Sequence, residues 1–155
     1  MNLALKKVTP GPRHHAVSMF ENILIVQHRS GPAASLVAEM PDHFERIFKS
    51  QTQVGLLLVV KEGCKPPEGP ARDKTNELFR LYGHRLRSAV VMEGSGFWAA
   101  AVRSALTLIS MNANHPMKIF TTAEEGANWL CRELARQGLG KVTVSQVLEE
   151  LERLR

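Results

Sequence analysis

The stretch from Ser88 to Ala113, SAVVMEGSGFWAAAVRSALTLISMNA, constrains the fold more than any other part of the chain. Ala89 to Met92 is a short apolar run of strand type. Glu93-Gly94-Ser95-Gly96 follows, and glycine permits the sharp turn that such a junction needs. From Phe97 onward the pattern is helical and apolar almost all round, with Arg103, Thr107 and Ser110 as the polar strip. A surface helix shows a single apolar stripe, so this pattern predicts a helix buried on most sides. The strand, turn and helix together form the expected centre of the core.

The remaining elements alternate around that unit. Ile23 to Val26 is a strong β run, HAVSMF before it alternates weakly, and Glu21-Asn22 between them suits a two-residue hairpin in which Asn takes positive φ. Ser30-Gly31-Pro32 opens a helix striped by Leu36, Val37, Met40, Phe44, Ile47 and Phe48, which Pro41 is expected to kink or split. VGLLLVV, residues 54–60, is apolar without alternation, the mark of a parallel strand buried on both faces. A helix is expected from about Pro70 to Arg87. MKIFT, residues 117–121, is a short strand, and Thr122 with Glu125 caps the helix after it, which stops at Gly138. A last helix begins near Thr143. Its Val144, Val147, Leu151 and Leu154 span about two heptads, too few for a coiled coil alone. That face either packs on its own domain or joins a homodimer.

These elements predict an α/β fold with a mostly parallel sheet of about five strands, an N-terminal antiparallel hairpin and an extra C-terminal helix. Residues 1–13 read as an N-terminal arm broken at Pro10-Gly11-Pro12, 14–138 as the α/β domain, and 139–155 as the C-terminal amphipathic helix. A chain of 155 residues suffices for one such domain. No apolar run reaches the roughly 18 residues of a membrane span, and Arg103 interrupts the nearest candidate. Lys6 and Lys7 precede no apolar segment, so no secretory leader is expected. Without one, Cys64 and Cys131 predict a reducing, cytoplasmic setting. A net charge of +5 permits an acidic partner, but the few aromatics lie in core patterns and form no stacking platform for nucleic acid.

Ligands of an open parallel sheet sit at the carboxyl ends of its strands. That rule selects Cys64 and Lys65 after the third strand, and Glu93, Gly94, Ser95, Gly96, Phe97 and Trp98 after the fourth. Lys65 beside Cys64 can lower a thiol pKa, though a plain loop cysteine is the simpler reading. Gly94-Ser95-Gly96-Phe97-Trp98-Ala99 fits a loose G-x-G-x-x-A pattern. It follows the fourth strand rather than the first, and Glu93 sets a negative charge beside the would-be anion. The glycines flank Ser95 at one residue, not the two of a nucleophile elbow. Arg80, His84 and Arg87 stand at helical spacing and predict a basic surface. His14 and His15 alternate across a strand and read as surface residues. No Cys/His spacing matches a zinc site, and no catalytic residue, metal or cofactor is expected.

Four segments carry a resemblance: Asn22 to Gly31 (NILIVQHRSG), Gly55 to Val60 (GLLLVV), Ser88 to Gly94 (SAVVMEG) and Lys118 to Leu130 (KIFTTAEEGANWL). In these the chain resembles the STAS domains, the sulfate-transporter and anti-sigma-factor-antagonist group, and most closely the small bacterial SpoIIAA-like proteins, over about residues 15–135. The resemblance implies a right-handed β-α superhelix of sequential strands. It also implies a non-enzymatic protein-interaction module in bacterial cytoplasmic regulation. Signalling members of that group carry an Asp-Ser-Ser-Gly type segment with a phosphorylatable serine after the third strand. This chain has KEGCKPPEG there, without a hydroxyl, and the nearest one is Thr75. The rival expectation is a domain that binds a small apolar or anionic metabolite, with Phe97 and Trp98 as walls.

Overall fold

The computed structural model describes residues 15–30, 34–65, 67–113 and 117–155. The arm at 1–13, His14 and the Gly31-Pro32 helix start lie outside the described residues. Strands β1 (His15–Phe20), β2 (Ile23–His28), β3 (Val54–Lys61), β4 (Leu86–Glu93) and β5 (Met117–Phe120) form one sheet in sequential order. β1 and β2 are antiparallel, and every later pairing is parallel. Helices α1 (Ala34–Phe48), α2 (Gly69–Tyr82) and α3 (Gly96–Ala113) make the three crossovers. α4 (Ala123–Arg136) and α5 (Val144–Leu154) follow β5.

The register explains the two-sided core. Val17, Val26, Leu58, Val90 and Ile119 are cross-strand partners and share one face. That face packs under α1, α2 and α3. Ile25, Leu57 and Ala89 form the neighbouring row on the opposite face, which α4 and α5 cover. Sidedness alternates along a strand, so β3 needs apolar residues at every position, and its unbroken LLLVV run supplies them. All three crossovers advance one strand in the same direction on one face. Such units are right-handed in nearly every known sheet.

Several expectations change on the tertiary structure. The hairpin turn at Glu21-Asn22 is present, but Glu21 takes the positive φ, at 52°. Asn22 is instead buried, with Nδ2 donating to the Leu139 carbonyl at 2.9 Å, and its own carbonyl accepting from the Gly55 N–H at 2.8 Å. One side chain thus ties the hairpin to the α4–α5 loop. α1 runs through Pro41 without a break. Leu36, Val37 and Met40 before the proline and Phe44 and Ile47 after it are buried under one continuous helix.

α2 ends at Tyr82, not Arg87; Gly83–Arg85 form one 3-10 turn and β4 begins at Leu86. The parallel ladder from Val54↔Leu86 to Lys61↔Glu93 claims these residues, since pairing along the whole of β3 outweighs a local helical pattern. Arg80, His84 and Arg87 therefore sit on a helix, a turn and a strand, and do not form one basic face. Arg85 closes this corner: its guanidinium lies 4.0 Å from the Phe48 ring centroid and donates to the Gln51 and Thr52 carbonyls.

α3 is not buried on most sides. Val102 and Leu106 are sealed, but Phe97 is 97% exposed, Leu108 61% and Met111 73%. The helix forms the outer end of its layer, over β4 and the four-residue edge strand β5, with α2 packed on one flank. α5 behaves in the opposite way. Val147, Leu151 and Leu154 are buried in their own domain, with Val144 half-buried beside them. The seam proposed for a homodimer is therefore closed within the single chain. Buried Glu150 anchors α5 by accepting from Ser18 Oγ of β1 at 2.9 Å and pairing with Arg153 at 3.1 Å.

Candidate functional site

The loops after β3 and β4 meet at the carboxyl ends of the parallel strands. Cys64 is buried, with Sγ 3.4 Å from the His28 carbonyl at the end of β2. Trp98, in the first turn of α3, donates from Nε1 to the Cys64 carbonyl at 2.7 Å. Three strand ends are thereby held by two side chains. Burial, above all, pushes the Cys64 thiol above its ordinary pKa, with only partial relief from Lys61. This direction is opposite to the one that Lys65 could have imposed, and Cys64 is buried rather than exposed in a loop. A thiol held protonated and out of solvent is a packing group, not a nucleophile.

The glycines divide their work. A Cβ at Gly94 would stand 2.5 Å from Trp98 Cζ3, so Gly94 makes room for the indole. Gly96 carries the positive φ, at 73°, that starts α3. Gly94→Ala is expected to displace the indole and break its bond to Cys64. In a Trp129→Phe background the fluorescence of Trp98 should shift to the red, with a loss of about 1–3 kcal/mol from overpacking. An unchanged spectrum would show that the indole has room to spare.

Glu93 does not face a free anion site. Arg155 pairs with it through both terminal guanidinium nitrogens, Nη1 at 3.3 Å from Oε2 and Nη2 against Oε1. The pair raises the Arg155 pKa, chiefly through that hydrogen bond. Arg29 Nη2 donates to the Leu154 carbonyl, so the end of α5 is clasped to the same carboxyl end of the parallel strands. Of the residues singled out in these loops, Cys64, Gly94 and Trp98 are brought together, while Glu93 turns to Arg155. Lys65, Ser95, Gly96 and Phe97 stand on the outside. Phe97 and Trp98, the expected walls of a pocket, part company: Phe97 is exposed and Trp98 is bonded to Cys64.

The open space lies elsewhere. A cavity of about 100 Å³ sits between the first sheet face and the layer of α1, α2 and α3. Phe44, Leu58, Val90 and Leu106 supply its walls, and Lys65 and Pro67 bound it at the carboxyl end of the sheet.

Beside this layer is a buried polar group at a position that strand alternation alone would place on the surface. His15 is buried on β1, and its Nε2 lies 3.0 Å from Glu39 Oε2 on α1. His43, one turn along α1, is also buried, 4.0 Å from the same oxygen. Burial lowers the His43 pKa against the pull of Glu39. The spacing of Met40, His43 and Ile47 was the available signal that His43 points inward. Among the described residues, no three His, Cys, Asp or Glu side chains are grouped to hold a metal ion. Thr75, the hydroxyl nearest the β3–α2 loop, donates to the Ala71 carbonyl at 2.8 Å within α2. No helix among the described residues is long and apolar enough to cross a membrane. No protein-family model, no curated protein and no solved structure matches this chain.

Proposed function

We propose that this chain is a non-enzymatic, STAS-like protein-interaction module of bacterial cytoplasmic regulation that works without the group's phosphorylatable serine. The observation that carries this reading is Phe97, a large aromatic side chain 97% exposed at the start of α3. Its neighbour Trp98 is pinned to Cys64, so the exposed ring is presented from a fixed support. An aromatic anchor on a rigid element is the usual energetic centre of a protein interface. Leu108 and Met111 extend the exposed apolar stripe along α3, and exposed Arg103 adds a positive charge to the same helix. The occupant that fits is a protein surface offering an apolar pocket with acidic groups at its rim. The net charge of +5 favours the same sign of partner.

The test is site-specific photocrosslinking in the native host from residue 97, with exposed Asn128 on α4 as the control position. A discrete crosslinked protein is expected from position 97 alone, and it should disappear when Arg103→Glu is added. Equal labelling from both positions, or crosslinks only between copies of this chain, would overturn the proposal.

A further inference from the structure

We infer that the cavity beneath α1, α2 and α3 is a binding site for a small monocarboxylate with a compact branched hydrocarbon body. This site is separate from the Phe97 surface and does not depend on it. The cavity holds about 100 Å³. An apolar cavity of about 150 Å³ stays dry and takes up a benzene ring, so this one suits a branched chain of four or five carbons. Its walls come from the sheet and from all three helices. The polar side chain that α2 contributes to the wall is turned away, since Thr75 Oγ1 donates to Ala71. His28 and Ser88, the buried polar residues of the wall, are strand residues already engaged elsewhere, so water would find few partners inside and a hydrocarbon would displace little. Lys65 is the lysine of the wall and is also exposed, so its hydrocarbon stem bounds the cavity while its charged head turns to solvent at the mouth. This mouth is at the carboxyl ends of the parallel strands, where sheets of this kind place their ligands. The hydrocarbon fills the space beside Val90 and Leu106, and the carboxylate remains at the mouth against Lys65.

The experiment is a methyl-detected NMR titration of the whole chain with isovalerate, and in parallel with isopentanol, its uncharged counterpart. Isovalerate is expected to shift the methyl signals of Leu58, Val90 and Leu106 saturably. Lys65→Met should weaken isovalerate at least fivefold and leave isopentanol unchanged. Val90→Phe, or Leu106→Phe should the first fail to fold, fills the space and should weaken both more than tenfold. Absence of saturable shifts with either compound would overturn the inference and leave a plain packing void. Isopentanol binding as tightly as isovalerate, with no effect of Lys65→Met, would overturn the carboxylate. Undiminished isovalerate binding in a folded Phe variant would move the site out of the cavity.

Discussion

Leu130→Ala is expected to destabilise the fold by about 3–4 kcal/mol, in the upper part of the range for a leucine truncated in a core. For a chain of this length that lowers Tm by roughly 6–16 °C. Leu130 is fully buried in the centre of α4. It rests on the backbone of β3, where a Cβ at Gly55 would stand 3.1 Å from Leu130 Cδ1 and 3.0 Å from Leu134 Cδ1. Gly126 on the same helix stands just as close, since a Cβ there would be 2.8 Å from Val91 Cγ2. With both contacts made backbone to side chain, α4 has no slack with which to settle into the space left by Leu130. The hole stays open, and the cavity penalty adds to the lost burial. Urea denaturation should show a lower midpoint with an unchanged slope. A loss below about 1 kcal/mol would mean that α4 repacks freely on the sheet.

Acid is expected to weaken the fold through His43. Its pKa in the folded chain is lowered, first by burial. At pH 7.5 and above, the imidazole is neutral in both states and contributes no pH dependence. As the pH falls through the ordinary histidine value of about 6.5, the unfolded chain takes up the proton and the folded chain does not. Stability therefore falls with falling pH, by up to about 1.4 kcal/mol per pH unit for one group. The fall ends once the folded-state pKa is passed. Glu39 and Asp42 on α1 oppose the shift, while Arg46 on α1 and His15 on β1 reinforce it. Melting temperatures across pH 5–8 should drop on the acid side in the parent chain. His43→Gln should flatten that part of the curve. An equal acid slope in the variant would assign the effect to other groups.

The layers of this protein were legible in its sequence because they rest on local pattern. The unbroken apolar run of β3 announced a strand covered on both faces, and α4 and the three crossover helices cover it. Thr122 and Thr143 announced helix starts, and each accepts the predicted N3 backbone N–H, from Glu125 and Gln146. The site was less legible. The carboxyl-end rule selected the loops of Cys64 and Trp98, which the structure brings into contact. It did not show that their contact is direct, with Trp98 Nε1 on the Cys64 carbonyl and no ligand space between them.

What the sequence by itself determined is the α/β class, the order of its elements and the strand that both layers must cover. Periodicity and capping depend on residues a few positions apart, and those were all in hand. Only the tertiary structure decided which apolar faces are covered. α3 is richer in apolar residues than α5, yet Phe97, Leu108 and Met111 lie open while Val147, Leu151 and Leu154 are sealed. The physical reason is position in the sheet: α3 ends a layer beside a four-residue edge strand, whereas α5 lies against the β1–β2 hairpin. The cavity has the same origin. Its walls come from segments distant in sequence, and the space they leave depends on how far the helices stand from the sheet.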